Sequence, residues 1–214
     1  ATTEIYTLSL HDALPIWHQI QNEEQFGQDL SLVASRIPQG DLRIGLLGDG
    51  ADWLWKHMVA CFAEGRQILD YFHCAEHIHK VAKLQYGEKT QKCLEWVESS
   101  LTRLFYSEVD NVIWGLQRMK PRDGIAKEEI RKLIGYLENN RGRIHYRGDR
   151  IGGYPIGSGG IESANKFICH TRMKRSGAWW VKETGNAMLR IRCAIYNGTY
   201  QKVFEKYKKG QFPI

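Results

Sequence analysis

Residues 42–73 read LRIGLLGDGADWLWKHMVACFAEGRQILDYFH. Leu42–Leu47 is a short apolar run interrupted only by Arg43, and it ends in Gly48-Asp49-Gly50. That pattern suits a buried strand followed by a tight turn. Asp52–Phe62 carries two Trp in amphipathic spacing and predicts a helix. Gln67–Phe72 is a second β-like run, with Asp70 near its end and His73 just beyond. Strand, helix and strand over about 30 residues make a βαβ unit, whose strands should be parallel neighbours.

Outward from this unit the pattern turns helical. Upstream, Phe26, Leu30, Val33, Ala34 and Ile37 mark one helical face across Glu24–Arg36, and Pro38-Gln-Gly40 stops it. Downstream, Cys74 to Asn139 reads as helix throughout. Val97, Leu101, Leu104, Phe105, Val112 and Leu116 form one apolar face, and Ile130, Leu133, Ile134 and Leu137 another. Pro121-Arg-Asp-Gly124 separates the two. Residues 142–160 hold seven Gly and Pro155, which predicts a loop. Helix resumes over Ile161–Met173, and Thr184–Lys208 holds one or two more. The expected class is α/β, predominantly α-helical.

At 214 residues, 43% hydrophobic and 25% charged, the chain has an ordinary globular composition. No apolar run approaches the roughly 18–20 residues of a membrane helix, so no membrane span is expected. The net charge of +6 is unevenly spread. Residues 17–138 carry 15 Lys and Arg against 18 acids, whereas residues 139–214 carry 15 against 4. A basic C-terminal third points to a polyanion, most simply nucleic acid. A solvated tail would not need Trp179, Trp180 and regularly spaced apolar residues. The five cysteines (61, 74, 93, 169 and 193) form no CxxC pair and no zinc-ribbon spacing. They read as buried or free thiols of a reducing cytosolic compartment.

Three features could carry chemistry. Asp49 sits at the carboxyl end of a predicted parallel strand, where ligands collect in open α/β sheets, and Gly48 and Gly50 leave room around it. The bland alternative is an Asp-Gly turn. Glu162 follows Gly157-Ser-Gly-Gly160 in the first turn of a helix, where it complements the helix dipole. It is also the only acid between Asp149 and Glu183, amid Lys166, Arg172, Lys174 and Arg175. Asp70, His73, His77 and His79 form a denser cluster beside Cys74. His73 and His77 are spaced i, i+4, acceptable for a metal. No Glu occupies the HExxH position, so a zincin is excluded. The other reading is a hydrogen-bonded Asp–His pair joining strand to helix. No P-loop, GxGxxG or GxSxG motif is present.

Leu47-Gly-Asp-Gly-Ala51 with Trp53 and Trp55, then Ile68-Leu-Asp-Tyr-Phe-His73, then Tyr154-Pro-Ile-Gly-Ser-Gly-Gly-Ile-Glu-Ser-Ala-Asn-Lys166 and Arg172-Met-Lys-Arg-Ser-Gly177 follow in this order. Together they resemble the catalytic C-terminal portion of bacterial insertion-sequence transposases of the ISKra type, which carry an Asp-Asp-Glu triad on a ribonuclease H-like fold. The resemblance spans about Gln25 to Tyr200. It implies a truncated ribonuclease H-like fold that keeps a βαβ edge with a large helical insertion. Asp49 would be the second catalytic carboxylate and Glu162 the third, both ligands of Mg²⁺ or Mn²⁺. Asp70 and His73 would be accessory. Lys166, Arg172, Lys174, Arg175, Trp179 and Trp180 would contact DNA, meaning transposon ends and target. The implied setting is the bacterial cytoplasm at the nucleoid, with no membrane and with homo-oligomers open.

Ala1–Ile16 (ATTEIYTLSLHDALPI) is similar to a translated sequencing adapter, so it is expected to be an artefactual leader. The remaining parts would be a partial core with the second Asp (17–73), a helical insertion (74–141), and the Gly-rich loop, Glu-bearing helix and basic helices (142–214). No residue between Trp17 and Gln39 offers the first Asp in a strand context. The parent is thus expected to be a DNA transposase and this chain to be inactive. Two alternatives stand beside this reading: a non-catalytic DNA-binding module, and a small metal hydrolase using Asp70, His73 and His77.

Overall fold

A helix capped by Asn22, whose side chain accepts from the Gln25 N–H, opens the part of the computed structural model that can be described, residues 21–37 and 39–210. This is α1, Glu23–Ala34, with Phe26, Leu30 and Ala34 buried. The chain then runs through β1 (Gly45–Gly48), α2 (Asp52–Cys61) and β2 (Arg66–Leu69). Four helices follow: α3 (Tyr71–Tyr86), α4 (Gln91–Phe105), α5 (Val109–Arg118) and α6 (Gly124–Asn139). After α7 (Tyr146–Ile151) come α8 (Gly159–Asn165), a π-helical turn (Lys166–His170), α9 (Lys182–Tyr196) and α10 (Tyr200–Lys208). The class is α/β with helix predominating. No helix among the described residues is long and apolar enough to cross a membrane.

The contacts divide the chain into two units, residues 38–158 and residues 21–37 with 159–210. The first is built on the βαβ element. β1 and β2 are parallel, with Gly45 opposite Arg66 and Gly48 opposite Leu69. Among the described residues the sheet has these two strands. Helix α2 lies on β1 through Leu54, Trp55 and Met58, all buried. The approach is close because Gly48 has no side chain: a Cβ there would meet Leu54 at 3.0 Å and Trp55 at 3.2 Å. Leu46, Ile68 and Leu69 complete the buried face of the sheet.

Helix α3 begins where β2 ends and packs on α4 and α6, while α5 packs on α4 and α6. Caps set these boundaries. The Thr90 hydroxyl accepts from the Cys93 N–H at the start of α4, and Asp123 accepts from Ala126 at the start of α6. Apolar residues at helical spacing fill the interior, among them Ile78, Leu104, Leu116, Leu133 and Leu137.

Several sequence expectations need adjustment. The first strand is Gly45–Gly48 rather than Leu42–Leu47; the Arg43 guanidinium turns aside to donate to the Gly152 carbonyl at 2.9 Å. The second stops at Leu69 because Asp70 caps α3, so Tyr71 and Phe72 are helical. The helical stretch from Cys74 is interrupted at Gly87–Thr90 and at Tyr106–Glu108. Residues 142–160 are not wholly loop, since they include α7. Tertiary contacts hold that short helix against its glycines. Tyr146 is fully buried, and buried Asp149 accepts from Arg66 Nε at 2.7 Å. The expected leader, Ala1–Ile16, lies outside the described residues.

The second unit has a smaller core of its own. Ala164, Ile168, Leu189 and Cys193 are buried together, with Cys169 and Met173 packed against them. The π-helical turn contacts both α8 and α9, and α10 packs on α9.

Candidate functional site

Asp49 is the first residue after β1, and its surroundings fix it from three sides. Its carboxylate Oδ1 accepts from the Ala51 N–H at 3.0 Å, closing the turn with its own side chain. Its carbonyl accepts from the Tyr136 hydroxyl at 2.8 Å, a bond that spans 87 residues to α6. Gly50 takes φ of +105°, which glycine adopts readily. A Cβ at Gly50 would lie 2.7 Å from the Tyr136 ring and 3.1 Å from Asn140. Tyr136 and Asn140 thus clamp the Gly48-Asp49-Gly50 turn from the end of α6. Asn140 is itself held, donating to the Tyr136 carbonyl at 3.0 Å and accepting from Arg143 at 2.9 Å.

Asp70 follows the neighbouring strand end in register. Its N–H donates to the Gly48 carbonyl at 2.7 Å. The carboxylate is buried, and its acceptor capacity goes to backbone. Oδ1 accepts from Phe72 at 2.8 Å and from His73 at 3.0 Å, and Oδ2 accepts from Ser158 at 2.8 Å. The Tyr71 N–H also donates to the Ile156 carbonyl at 2.8 Å. The strap 154–158 is therefore tied to the end of β2, and a Cβ on Gly157 would clash with the Phe72 ring at 2.4 Å. The hydrogen-bonded Asp–His pair that joins strand to helix is present, made through the His73 backbone N–H rather than its ring.

The histidines lie along α3. His73 Nδ1 is 3.5 Å from Glu76, and its ring meets that of His77 edge-on at 5.1 Å. The His77 ring lies 4.5 Å from that of Tyr136. Burial holds the His77 pKa below its ordinary value, and the nearby His73 and Lys80 push the same way. His79 is exposed. Asp70, with its oxygens on backbone donors, does not join His73 and His77. Among the described residues no three His, Cys, Asp or Glu side chains are grouped to hold a metal ion. Cys74 is fully buried, and burial pushes its thiol up to about 12. None of the five cysteines forms a disulfide.

In the second unit, Glu162 is exposed in the first turn of α8. Lys166 is exposed where the π-helical turn begins, and its carbonyl accepts from the Thr171 N–H at 3.1 Å and from the Thr171 hydroxyl at 3.0 Å. Arg172, Lys174 and Arg175 are exposed in the segment that follows. The two adjacent tryptophans part company. Trp180 is half-buried and donates from its indole N–H to the Met173 carbonyl at 3.2 Å, whereas Trp179 is 95% exposed. Sequence reasoning overlooked Tyr136, whose partner lies 87 residues away, the Arg66–Asp149 pair, 83 residues apart, and Asn140, which bonds back to the Tyr136 carbonyl.

The family model of an uncharacterised protein family, UPF0236, matches residues 38–210. No curated protein and no solved structure matches the chain.

Proposed function

The chain belongs to the uncharacterised protein family UPF0236, and from that premise we propose that it is the catalytic part of a DNA transposase of the insertion-sequence kind. The reaction is phosphoryl transfer on DNA ends. A water or a 3′-hydroxyl attacks phosphorus, and the bridging P–O bond breaks. The βαβ element is read as the edge of a ribonuclease H-like sheet. Asp49 and Glu162 are read as two carboxylates of its metal site.

One observation carries this reading: Asp49 is held at the carboxyl end of a parallel strand by a turn that α6 clamps through the Tyr136–Asp49 bond. A carboxylate so fixed loses little freedom when it takes a ligand. Hard carboxylate oxygens suit Mg²⁺ or Mn²⁺, and neither residue offers the sulfur or imidazole that zinc prefers. When bound, such an ion activates the attacking hydroxyl and neutralises charge on the leaving oxygen. The chain's own part is to hold the two carboxylates and to seat the DNA. For the second task, residues 159–210 carry 11 Lys and Arg against 3 acids, a surplus that draws phosphate backbone.

Mn²⁺ binding by Asp49→Asn, Glu162→Gln and the double variant tests the reading. Each single change should weaken Mn²⁺ binding by about tenfold or more, and the double should be little worse than either, as for two ligands of one ion. Full additivity of the two changes, or no effect of either, would overturn the shared site. A protein that binds DNA but no Mn²⁺ would favour the non-catalytic DNA-binding module.

A further inference from the structure

The segment from Thr171 to Val181 is a built loop. Arg175 Nε donates to the Thr171 carbonyl at 2.9 Å. The Ala178 N–H donates to the Arg175 carbonyl at 3.1 Å across a turn in which Gly177 takes φ of +77°. The Trp180 indole bond to Met173 closes the loop from the other side. What this frame presents is unusual: Trp179 at 95% exposure, with exposed Arg172, Lys174 and Arg175 on the same short loop. No acid occurs between Glu162 and Glu183 to offset them. Tryptophan is highly buried on average in folded proteins, and here the adjacent Trp180 takes the anchoring role that would have buried it.

We propose that this loop binds an unpaired nucleic-acid strand, with Trp179 stacking on a base and Arg172, Lys174 and Arg175 meeting the flanking phosphates. In a duplex the base faces are already stacked on one another, so an exposed indole gains nothing from them. An unpaired base offers a free π-face of any sequence. An anionic bilayer also attracts basic residues and Trp. The loop's other residues near the tip are Ser176, Gly177 and Ala178, too little apolar surface to enter acyl chains. The inference deepens the transposase reading by naming the form of DNA this surface takes, and it rests on that reading only for the choice of polyanion.

The test is fluorescence anisotropy with a labelled 12-nucleotide oligothymidylate and with a long blunt-ended duplex of two separate strands, each over a salt series, using the whole chain. Wild type should bind the single strand more tightly than the duplex. Trp179→Ala should weaken single-strand binding by about five- to a hundredfold, the range of one stacked base, and leave duplex binding and the salt slope unchanged. Trp179→Phe should restore most of the loss. Arg172→Ala, Lys174→Ala and Arg175→Ala together should lower the single-strand salt slope by about 0.7 per lost contact. Unchanged single-strand binding by Trp179→Ala overturns the proposal. So does an equal loss on duplex, or loss of binding to anionic phosphatidylserine vesicles with single-strand binding intact. None of these outcomes touches Mn²⁺ binding at Asp49 and Glu162, so the two readings fail separately. Circular dichroism of Trp179→Ala should match wild type, because the side chain contributes no buried surface.

Discussion

Residues 38–158 and residues 159–210 spend their polar groups in opposite ways. The first unit carries 18 Lys and Arg against 16 acids, and it buries Asp70, Asn140 and Asp149 in bonds to backbone or to arginine. The second is strongly basic, keeps its polar side chains largely at the surface and leaves Trp179 uncovered. In the first unit buried polar residues hold the chain; in the second most polar residues stand at the surface. Substitutions in the two units should therefore be read out by different measurements, stability in one and nucleic-acid binding in the other.

The largest contrast lies between Ile68 and Trp179. Ile68 is fully buried in β2, so Ile68→Ala should cost about 2–5 kcal/mol in urea unfolding. Trp179→Ala should stay within about 0.5 kcal/mol of wild type. A comparable loss from both would erase the distinction between the units. Next comes Asp70→Ala, which leaves the N–H groups of Phe72, His73 and Ser158 without their acceptor. It should cost about 2 kcal/mol and raise amide hydrogen exchange at Ser158, which a helix cap alone would not do.

Smaller still is Tyr136→Phe. It removes only the hydroxyl that donates to the Asp49 carbonyl and should cost about 1 kcal/mol, with weaker Mn²⁺ binding as the sharper sign that the turn has loosened. The smallest effect is a pH slope. The His77 pKa sits below its ordinary value of 6.5 through burial, beside His73 and Lys80, with Glu76 and Glu129 opposing. The unfolded chain then takes up the proton first. His77 stabilises fully at neutral pH, and that contribution fades as pH falls from 6.5 through the folded value. His77→Gln should flatten stability between pH 7 and 5, and an unchanged slope would show that the ring is not held neutral by its setting.

Short-range pattern made much of the first unit legible. The apolar runs on either side of the expected Asp52–Phe62 helix announced β1, α2 and β2 in order, and Pro121-Arg-Asp-Gly124 announced the break before α6, whereas the starts of α4 and α5 went unread. Long-range contacts were not legible. Helix α7 lies among Gly148, Gly152 and Gly153, poor helix formers, and it exists because Tyr146 is buried and Asp149 meets Arg66 from another element. Tyr136 looked like one more residue of an amphipathic helix; only the fold brings its hydroxyl to Asp49. The two tryptophans share a sequence context and differ in burial because one indole N–H finds the Met173 carbonyl.

The proposal that Asp49 and Glu162 would ligate one cation is the part of the account most open to direct test. The most direct measurement loads the chain with Fe²⁺ in place of Mg²⁺, adds ascorbate and peroxide, and maps the backbone cuts by mass spectrometry, since radicals made at the ion cleave the chain beside its ligands. The expected result is two sets of cuts, one around Gly48–Ala51 and one around Ile161–Ser163, both suppressed by excess Mg²⁺ and both lost in Asp49→Asn. Cuts at only one of these places, or a second set that survives Asp49→Asn, would contradict a shared site.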